Sequence, residues 1–457
     1  MNTLLAITGI GVIAMLTDIF RVKKILYPVT LIGLLAALGL TVLDWNTGQR
    51  YFNDMMYFDN YAAAFSGILI FTVFMWFLMS ENFLRDNPRI TDYTALLSFS
   101  LAGAIVMVSF ANLIMLFLGI EILSIAMYIL AASNKNEPRS NEAGFKYFLL
   151  GAFASAFLLF GIALIYGTTA SFNLREISAY IAANSSSVPM MMYAGIIMLI
   201  IGFSFKISAA PFHYWAPDVY EGAPTPFTAY MSTVVKTAAF AALLRLFTVN
   251  FASLADWWGP LLAVFSAISM LLGNIMAVYQ TSLKRMLAFS SVAHAGYMLM
   301  AVVAMNDSSA NALWYYAAAY SVASIGIFVL VSSMTRSGNE SVTSLRGFSR
   351  TNQLPAVVIT LALLSFAGIP PVAGFFGKYF VFTSAMNSGY TWLVLIAVIS
   401  SLIGVYYYFR VIITLFQPAD RESVQHQFTS SQSLLFGIVL LLTLILGLVP
   451  AIFSDII

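Results

Sequence analysis

One carboxylate, Glu121, and three amines, Lys206, Lys236 and Lys378, stand inside otherwise apolar runs of a 457-residue chain. Glu121 is set in NLIMLFLGIEILSIAMYIL, Lys206 in IIMLIIGFSFKISAAPF, Lys236 in YMSTVVKTAAFAALL and Lys378 in AGIPPVAGFFGKYFVF. At the centre of a bilayer each such charge costs about 2.5–3.5 kcal/mol, so four uncompensated ones would cost roughly 10–14 kcal/mol. A static Glu–Lys pair would absorb one amine and leave two in excess. Ionisable groups held at that cost mark a path for ions or protons. Lys146 opens its own apolar run, within reach of the membrane interface, and His294, in LKRMLAFSSVAH, is a further relay candidate. For His294 a relay role and a satisfied core histidine both stay open.

Hydroxyls at helical spacing extend these positions into stripes. Ser124 and Tyr128 share a face with Glu121, Ser232 and Thr233 with Lys236, and Ser290, Ser291 and Tyr297 with His294, at separations of three, four or seven. Such hydroxyls equally bond their own backbone or a neighbouring helix. His213 follows a proline-rich break and reads as structural or as a group at the mouth of a path. His426, in a polar connector, reads as solvated.

The composition narrows the chemistry. With 61% hydrophobic and 9% charged residues the chain is one whose surface faces lipid. It has no cysteine and three histidines, which removes disulfides, thiolate zinc and Fe–S ligation and leaves little for haem. A net charge of +2 offers no basic face for nucleic acid. There is no GxxxxGK[ST] loop and no GxGxxG after a strand, hence no nucleotide site of its own.

Fourteen runs of about 20 apolar residues position these groups, at 3–20, 25–43, 60–79, 92–110, 112–132, 144–167, 189–210, 225–249, 259–279, 285–305, 311–335, 355–386, 391–416 and 432–453. The fold class expected is all-α and integral to the membrane, with no room for a large soluble domain. The first run lacks the basic flank and cleavage site of a signal peptide. Odd-numbered connections carry Arg21, Lys23, Lys24, Arg85, Arg89, Lys135, Arg139, Lys284, Arg285, Arg336, Arg346, Arg350 and Arg421; even-numbered ones carry Arg50 and Arg175. By the positive-inside rule both termini face outward. Arg245 and Arg410 sit near helix ends beside aromatic residues, where they would snorkel to the headgroups.

Two runs are punctuated. The seventh meets Pro211, Pro217, Pro224 and Pro226, and the twelfth is cut at Gly368, Pro370 and Pro371. Proline opens backbone groups that a membrane tolerates only inside protein or beside water. Broken helices in corresponding halves point to a site between inverted repeats. Helices 4–8 and 9–13 would form two such five-helix units, and Glu121 to Lys206 and His294 to Lys378 are nearly equal separations. The expected organisation is helices 1–3 over 1–90, the first repeat over 91–250, the second over 251–417 and a last helix over 418–457.

The segments LFLGIEILSIAMY, EAGFKYFLLGAFASAFLLFGIALIYG, GFSFKISAAPFHYWAPDVYEGAPTP, VVKTAAFAALLRLF, LKRMLAFSSVAHAGYML, LAGIPPVAGFFGKYFVF and GVYYYFRVIITLF resemble, in order, the subunit N family of bacterial NADH:quinone oxidoreductase, respiratory complex I. The likeness runs from about residue 60 to 416. It implies a proton-pumping, antiporter-like subunit of the membrane arm in the bacterial inner membrane. Its functional groups fall on Glu121, Lys206, Lys236 and Lys378, with Lys146 and His294 as further members of the polar axis. It also implies that FMN, Fe–S clusters and quinone belong to partner subunits, and that the neighbours are the antiporter-like subunit M and small subunits such as K. The same fold serves subunits L and M and multisubunit sodium/proton antiporters. Lys236, where L and M resemble each other in having a histidine, and Lys378, where M has a glutamate, favour N.

Overall fold

The computed structural model describes residues 1–85, 87–185, 187–418, 426–453 and 456–457. Arg421, which contributes to the charge asymmetry of the connections, lies outside the described residues. Among them, twelve helices are long and apolar enough to cross a membrane, and two shorter apolar helices, Met190–Lys206 and Gln353–Ala367, occupy the segments expected to be broken. The first is followed by Trp215–Gly222 and the second by Ala373–Asn387. Both interruptions contain a cis X-Pro bond, Ala210–Pro211 and Pro370–Pro371.

Local sequence explains the helix ends. Asp59, Asn112, Asn173, Ser282 and Thr429 each accept a backbone N–H of the first turn, replacing a partner that the helix cannot supply. The sixth helix begins earlier than its apolar run, at Pro138, because proline at the first helical position needs no amide partner. Lys146 is therefore inside the helix rather than at its start. The eighth span, Thr225–Asn250, contains a π-turn over Met231–Val235 immediately before Lys236. A short helix, Leu174–Ala183, lies in the connection before the seventh span.

Three recurring contacts show the inverted repeat. Asn112 bridges to Asn173 beside the start of helix Leu113–Ala131, and Ser282 bridges to Ser341 beside the start of helix Leu283–Ala304. The flanking amides repeat the pattern, Leu113 to Phe172 and Leu283 to Glu340. Arg245 caps the chain at the end of Ile90–Ser109 through the Val108 and Phe110 carbonyls, while Arg410 caps the end of Ala255–Val278 through Val278 and Gln280. The first member of each pair lies on the face that also carries Asp59, the second on the face that carries Thr281 and Glu340. The two halves therefore run in opposite senses.

The third contact is helix on helix. A Cβ on Gly103 would come within 2.7 Å of the Leu123 amide nitrogen, and one on Gly273 within 2.5 Å of the Ala293 amide nitrogen. Small residues let these backbones approach, which is what holds helices together where lipid removes the hydrophobic drive. Gly273→Val is expected to force the Ala255–Val278 and Leu283–Ala304 helices apart and cost about 1–3 kcal/mol. A thermal-unfolding midpoint in detergent unchanged from the parent would contradict that packing.

Candidate functional site

The charged residues singled out by sequence divide between a buried interior line and one face. Glu121 and Lys206 make no direct ion pair. Ser155 donates to Glu121 Oε1, whereas Lys206 Nζ donates to Ser124 Oγ at 2.6 Å and Tyr128 Oη at 3.2 Å. Ser124, expected to serve the Glu121 face, instead serves the lysine. Glu121 is only half-buried, with Leu118 and Ile125 of its helix exposed. The lysine is fully enclosed.

Lys236 comes directly after the π-turn and is buried against the next repeat. Its Nζ donates to the Ser291 carbonyl at 2.6 Å and to the Ser291 hydroxyl. Ser232 and Thr233, placed on its face by spacing, bond the Ala229 carbonyl at 3.0 and 2.7 Å and take no part. A π-turn adds a residue to one helical turn and re-aims the side chains beyond it. Helical spacing counted across it therefore fails.

His294 occupies the next turn beyond Ser291. Its Nδ1 lies 2.7 Å from Tyr316 Oη and its Nε2 3.1 Å from Tyr408 Oη, and Tyr408 also meets Ser290 Oγ at 2.5 Å. A pocket of about 10 Å³ adjoins it, lined by His294, Tyr316, Tyr320 and Ser365 among others, near the lower limit for a single water. Lys378 closes the line. Its Nζ donates to the Ala367 carbonyl at 2.8 Å and Ser401 Oγ at 2.7 Å and stands 4.9 Å from the Tyr297 ring. Gly368 adopts φ +80°, and a Cβ there would meet the Lys378 side chain at 2.7 Å. Glycine is needed both for the turn and for the lysine's passage to the exposed carbonyl.

Lys146 belongs elsewhere. It forms ion pairs with Glu142 at 2.7 Å and Asp218 at 2.8 Å while 38% exposed. Arg285 joins Asp218 to Glu221 on the same face. His213 is buried in the seventh-helix break.

Several expectations need correction. Arg245 does not snorkel: it is 6% exposed and grips Asp59 with two nitrogens at 2.9 and 3.0 Å besides its carbonyl partners. Arg410 likewise serves as a helix cap. His426 is not freely solvated, since Nδ1 meets Ser333 Oγ at 2.8 Å and the ring packs on Phe348. Burial, with Arg336 nearby, lowers its pKa below the ordinary histidine value. Lys284, counted as a connector residue, is buried at 2% exposure with Nζ 2.7 Å from the Ala223 carbonyl. Sequence missed Tyr316, Tyr408 and Ser401 as partners; the aromatic cluster VYYYF was the available signal for Tyr408.

An enclosed line of amines and hydroxyls crossing two broken helices defines a membrane protein of the antiporter-like class. Residues 111–404 match the family described as NADH:quinone oxidoreductase/Mrp antiporter, TM. NADH-quinone oxidoreductase subunit N of Flavobacterium psychrophilum is 43% identical over 98% of each chain. Its counterpart in Cytophaga hutchinsonii is 40% identical over 100% of this chain and 99% of its own. A chain of respiratory complex I from Thermus thermophilus superposes with a TM-score of 0.85 at 30% identity, covering 99% of this chain and 98% of that one. A chain of the Mrp complex from Dietzia shares the fold, with a TM-score of 0.84 at 19% identity and coverage of 99% and 95%. The chain belongs to the NADH-quinone oxidoreductase subunit N family.

The Arg245–Asp59 contact has a measurable weight. Arg245→Gln is expected to destabilise the protein by roughly 3 kcal/mol, because it leaves a carboxylate and two helix-end carbonyls short of donors. Asp59→Asn in the same chain should recover part of that loss. Denaturation midpoints that place the double variant below Arg245→Gln would refute the pairing.

Proposed function

We propose that this chain is a proton-translocating membrane-arm subunit of NADH-quinone oxidoreductase. Electron transfer from NADH to quinone takes place in other subunits, which hold the FMN, the Fe–S clusters and the quinone site. The observation that carries this reading is the line of buried lysines, Lys206, Lys236 and Lys378, each bonded to neutral oxygens and, among the described residues, none to a carboxylate. Ordinary scaffolding would pair such charges. A line meant to pass protons needs amines whose partners accommodate both protonation states, as hydroxyls do by turning from acceptor to donor.

Glu121 supplies the switch. Its carboxylate accepts from Ser155 while Lys206 donates to Ser124 and Tyr128, which supports reading this arrangement as the separated state of the pair. Bringing the carboxylate to about 4 Å from the ammonium would stabilise the charge by about 4 kcal/mol at an effective dielectric near 20. Moving one charge against about 150 mV requires about 3.5 kcal/mol. The two magnitudes match. Lys206 holds its proton while paired, passes it toward Lys236 when Glu121 withdraws, and His294 with Tyr408 leads onward to Lys378. Lys146 sets the field at the mouth rather than carrying protons.

The face with Lys146, Arg285 and Lys284 is assigned to the cytoplasm of a bacterial plasma membrane by the excess of basic residues in its connections, which leaves both termini outside. Glu121, half-exposed on an apolar surface, requires a protein neighbour because lipid cannot solvate it. The antiporter-like and small membrane-arm subunits are the partners that meet this need. A sodium/proton antiporter would share the lysines, and sodium-driven proton flux without NADH or quinone would identify one.

Two variants of the intact complex test the roles. Lys206→Ala is expected to slow NADH-driven proton uptake into inverted vesicles by about tenfold or more. Retention of the parental proton-to-electron ratio would remove Lys206 from the relay. Glu121→Gln keeps the shape and deletes the charge, and it should uncouple conformational drive from pumping to a similar degree. Fully coupled turnover in that variant would show the charge to be dispensable.

A further inference from the structure

Lys284 and Arg285 are adjacent in sequence but have opposite environments. Arg285 spans Asp218 and Glu221 at the surface, at 3.1 and 2.5 Å. Lys284 turns inward. Its Nζ donates to the Ala223 carbonyl, in the turn that joins Trp215–Gly222 to Thr225–Tyr230. Among the described residues it forms no ion pair.

A cavity of about 590 Å³ opens on the same face and reaches this lysine, lined by Glu137, Arg139, Glu221, Thr281, Lys284 and Glu340 among others. Water fills a polar cavity of that size. The walls come from both halves of the molecule, so the cavity lies over their junction. Of the charged groups around Lys284, Glu221 is taken by Arg285 and Glu340 accepts from Thr335 at 2.7 Å. Arg139 and Glu137 stand at the rim.

Helix register supplies the continuation. Ser291 lies two turns beyond Lys284 on the same face of Leu283–Ala304, about 10 Å along the axis. Ser291 is the residue that accepts from Lys236 through both its carbonyl and its hydroxyl. Tyr220, fully buried on Trp215–Gly222, lies beside Ser291 and Ser208.

We propose that Lys284 is the group through which this subunit takes up protons, loading from vestibule water and delivering them along the Ser291 side of its helix to Lys236, from which Lys206 is charged while paired with Glu121 and to which it returns the proton when the carboxylate withdraws. The assignment rests on the relay reading of the lysine line. In loading, an O–H bond of a vestibule water breaks as an N–H bond forms at neutral Nζ, and the hydroxide left behind is passed from water to water into the bulk, so that the solution on that face loses one proton. In delivery the N–H bond breaks and the proton passes through the Ser291 region to Lys236 Nζ, returning Lys284 to neutrality.

The absence of cysteine in this subunit permits a chemical test on the intact complex in vesicles. Lys284→Cys should lower NADH-driven pumping about tenfold. Disulfide attachment of an aminoethyl group by the corresponding methanethiosulfonate rebuilds a protonatable amine and should restore most of the rate. The trimethylammonium-ethyl reagent, which brings a fixed charge, should not. The parental complex, treated identically, reports on cysteines of other subunits. Equal rescue by both reagents would make Lys284 a positioning charge and overturn the proposal, as would an undiminished rate in Lys284→Cys. Should that variant fail to assemble, Thr281→Cys in the vestibule wall provides the test instead: a bulky, impermeant maleimide must slow pumping, and an unchanged rate after full labelling overturns the proposal. Lys236→Met in parallel separates the two levels. Pumping that survives it refutes the relay itself, whereas its loss alongside a negative Lys284 result refutes only the uptake assignment.

Discussion

Ammonium groups resting on neutral oxygens are the interaction on which the rest of this structure depends. A bilayer offers no water to a buried charge, so each lysine must find acceptors inside the protein. Helices have already used most of their carbonyls. The chain therefore breaks two of them, and the Ala367 carbonyl at the end of one half-helix becomes the acceptor for Lys378. Ala223, at the turn between the seventh and eighth spans, does the same for Lys284. Hydroxyls serve as well: Ser124 and Tyr128 alone for Lys206, and Ser291 and Ser401 beside the carbonyls that Lys236 and Lys378 also reach.

This choice of partner has a functional consequence. A carboxylate beside each lysine would hold the protonated form several kcal/mol too firmly for transfer. Neutral oxygens satisfy the hydrogen-bonding need without fixing the charge, and in the proposed relay a single carboxylate, Glu121, would then bias the line. The fixed carboxylates keep to the faces. Asp59 is held by Arg245 on one side, and Asp218 by Lys146 and Arg285 on the other. Those clusters lock helix ends together, and they keep competing negative charge away from the interior path.

Much of this was legible in the sequence because membrane chemistry is written in depth. Run length set the spans, proline set the breaks, and Glu121, Lys206, Lys236 and Lys378 stood out because apolar neighbours surrounded them. What sequence could not show is lateral cover. Arg245 and Lys284 both sit near helix ends, where a charge can face headgroups or a neighbouring helix, and in each case packing from another segment decided for burial. Ser124 was assigned to Glu121 by helical spacing, yet the adjacent seventh helix brings Lys206 closer to it. The π-turn before Lys236 defeated spacing in a different way, by changing the period itself.

The repeats place charge in equivalent locations with different residues. Lys206 is the last residue of its half-helix, and Lys378 lies beyond its own break, yet its Nζ reaches back to Ala367, the residue that ends its half-helix. Counting from the caps Asn112 and Ser282, Glu121 corresponds to Ser291 and Ser124 to His294. The second half thus has a hydroxyl and an imidazole where the first has a carboxylate and a hydroxyl. Two symmetric halves would exert symmetric fields and give a proton no preferred direction. In the proposed relay the carboxylate belongs to one half, so a movement of Glu121 would change the energy of Lys206 strongly and that of Lys378, behind Lys236 and His294, far less. In the proposed relay the inverted fold would supply half-paths from the two faces, and this one difference in residue type would make them unequal.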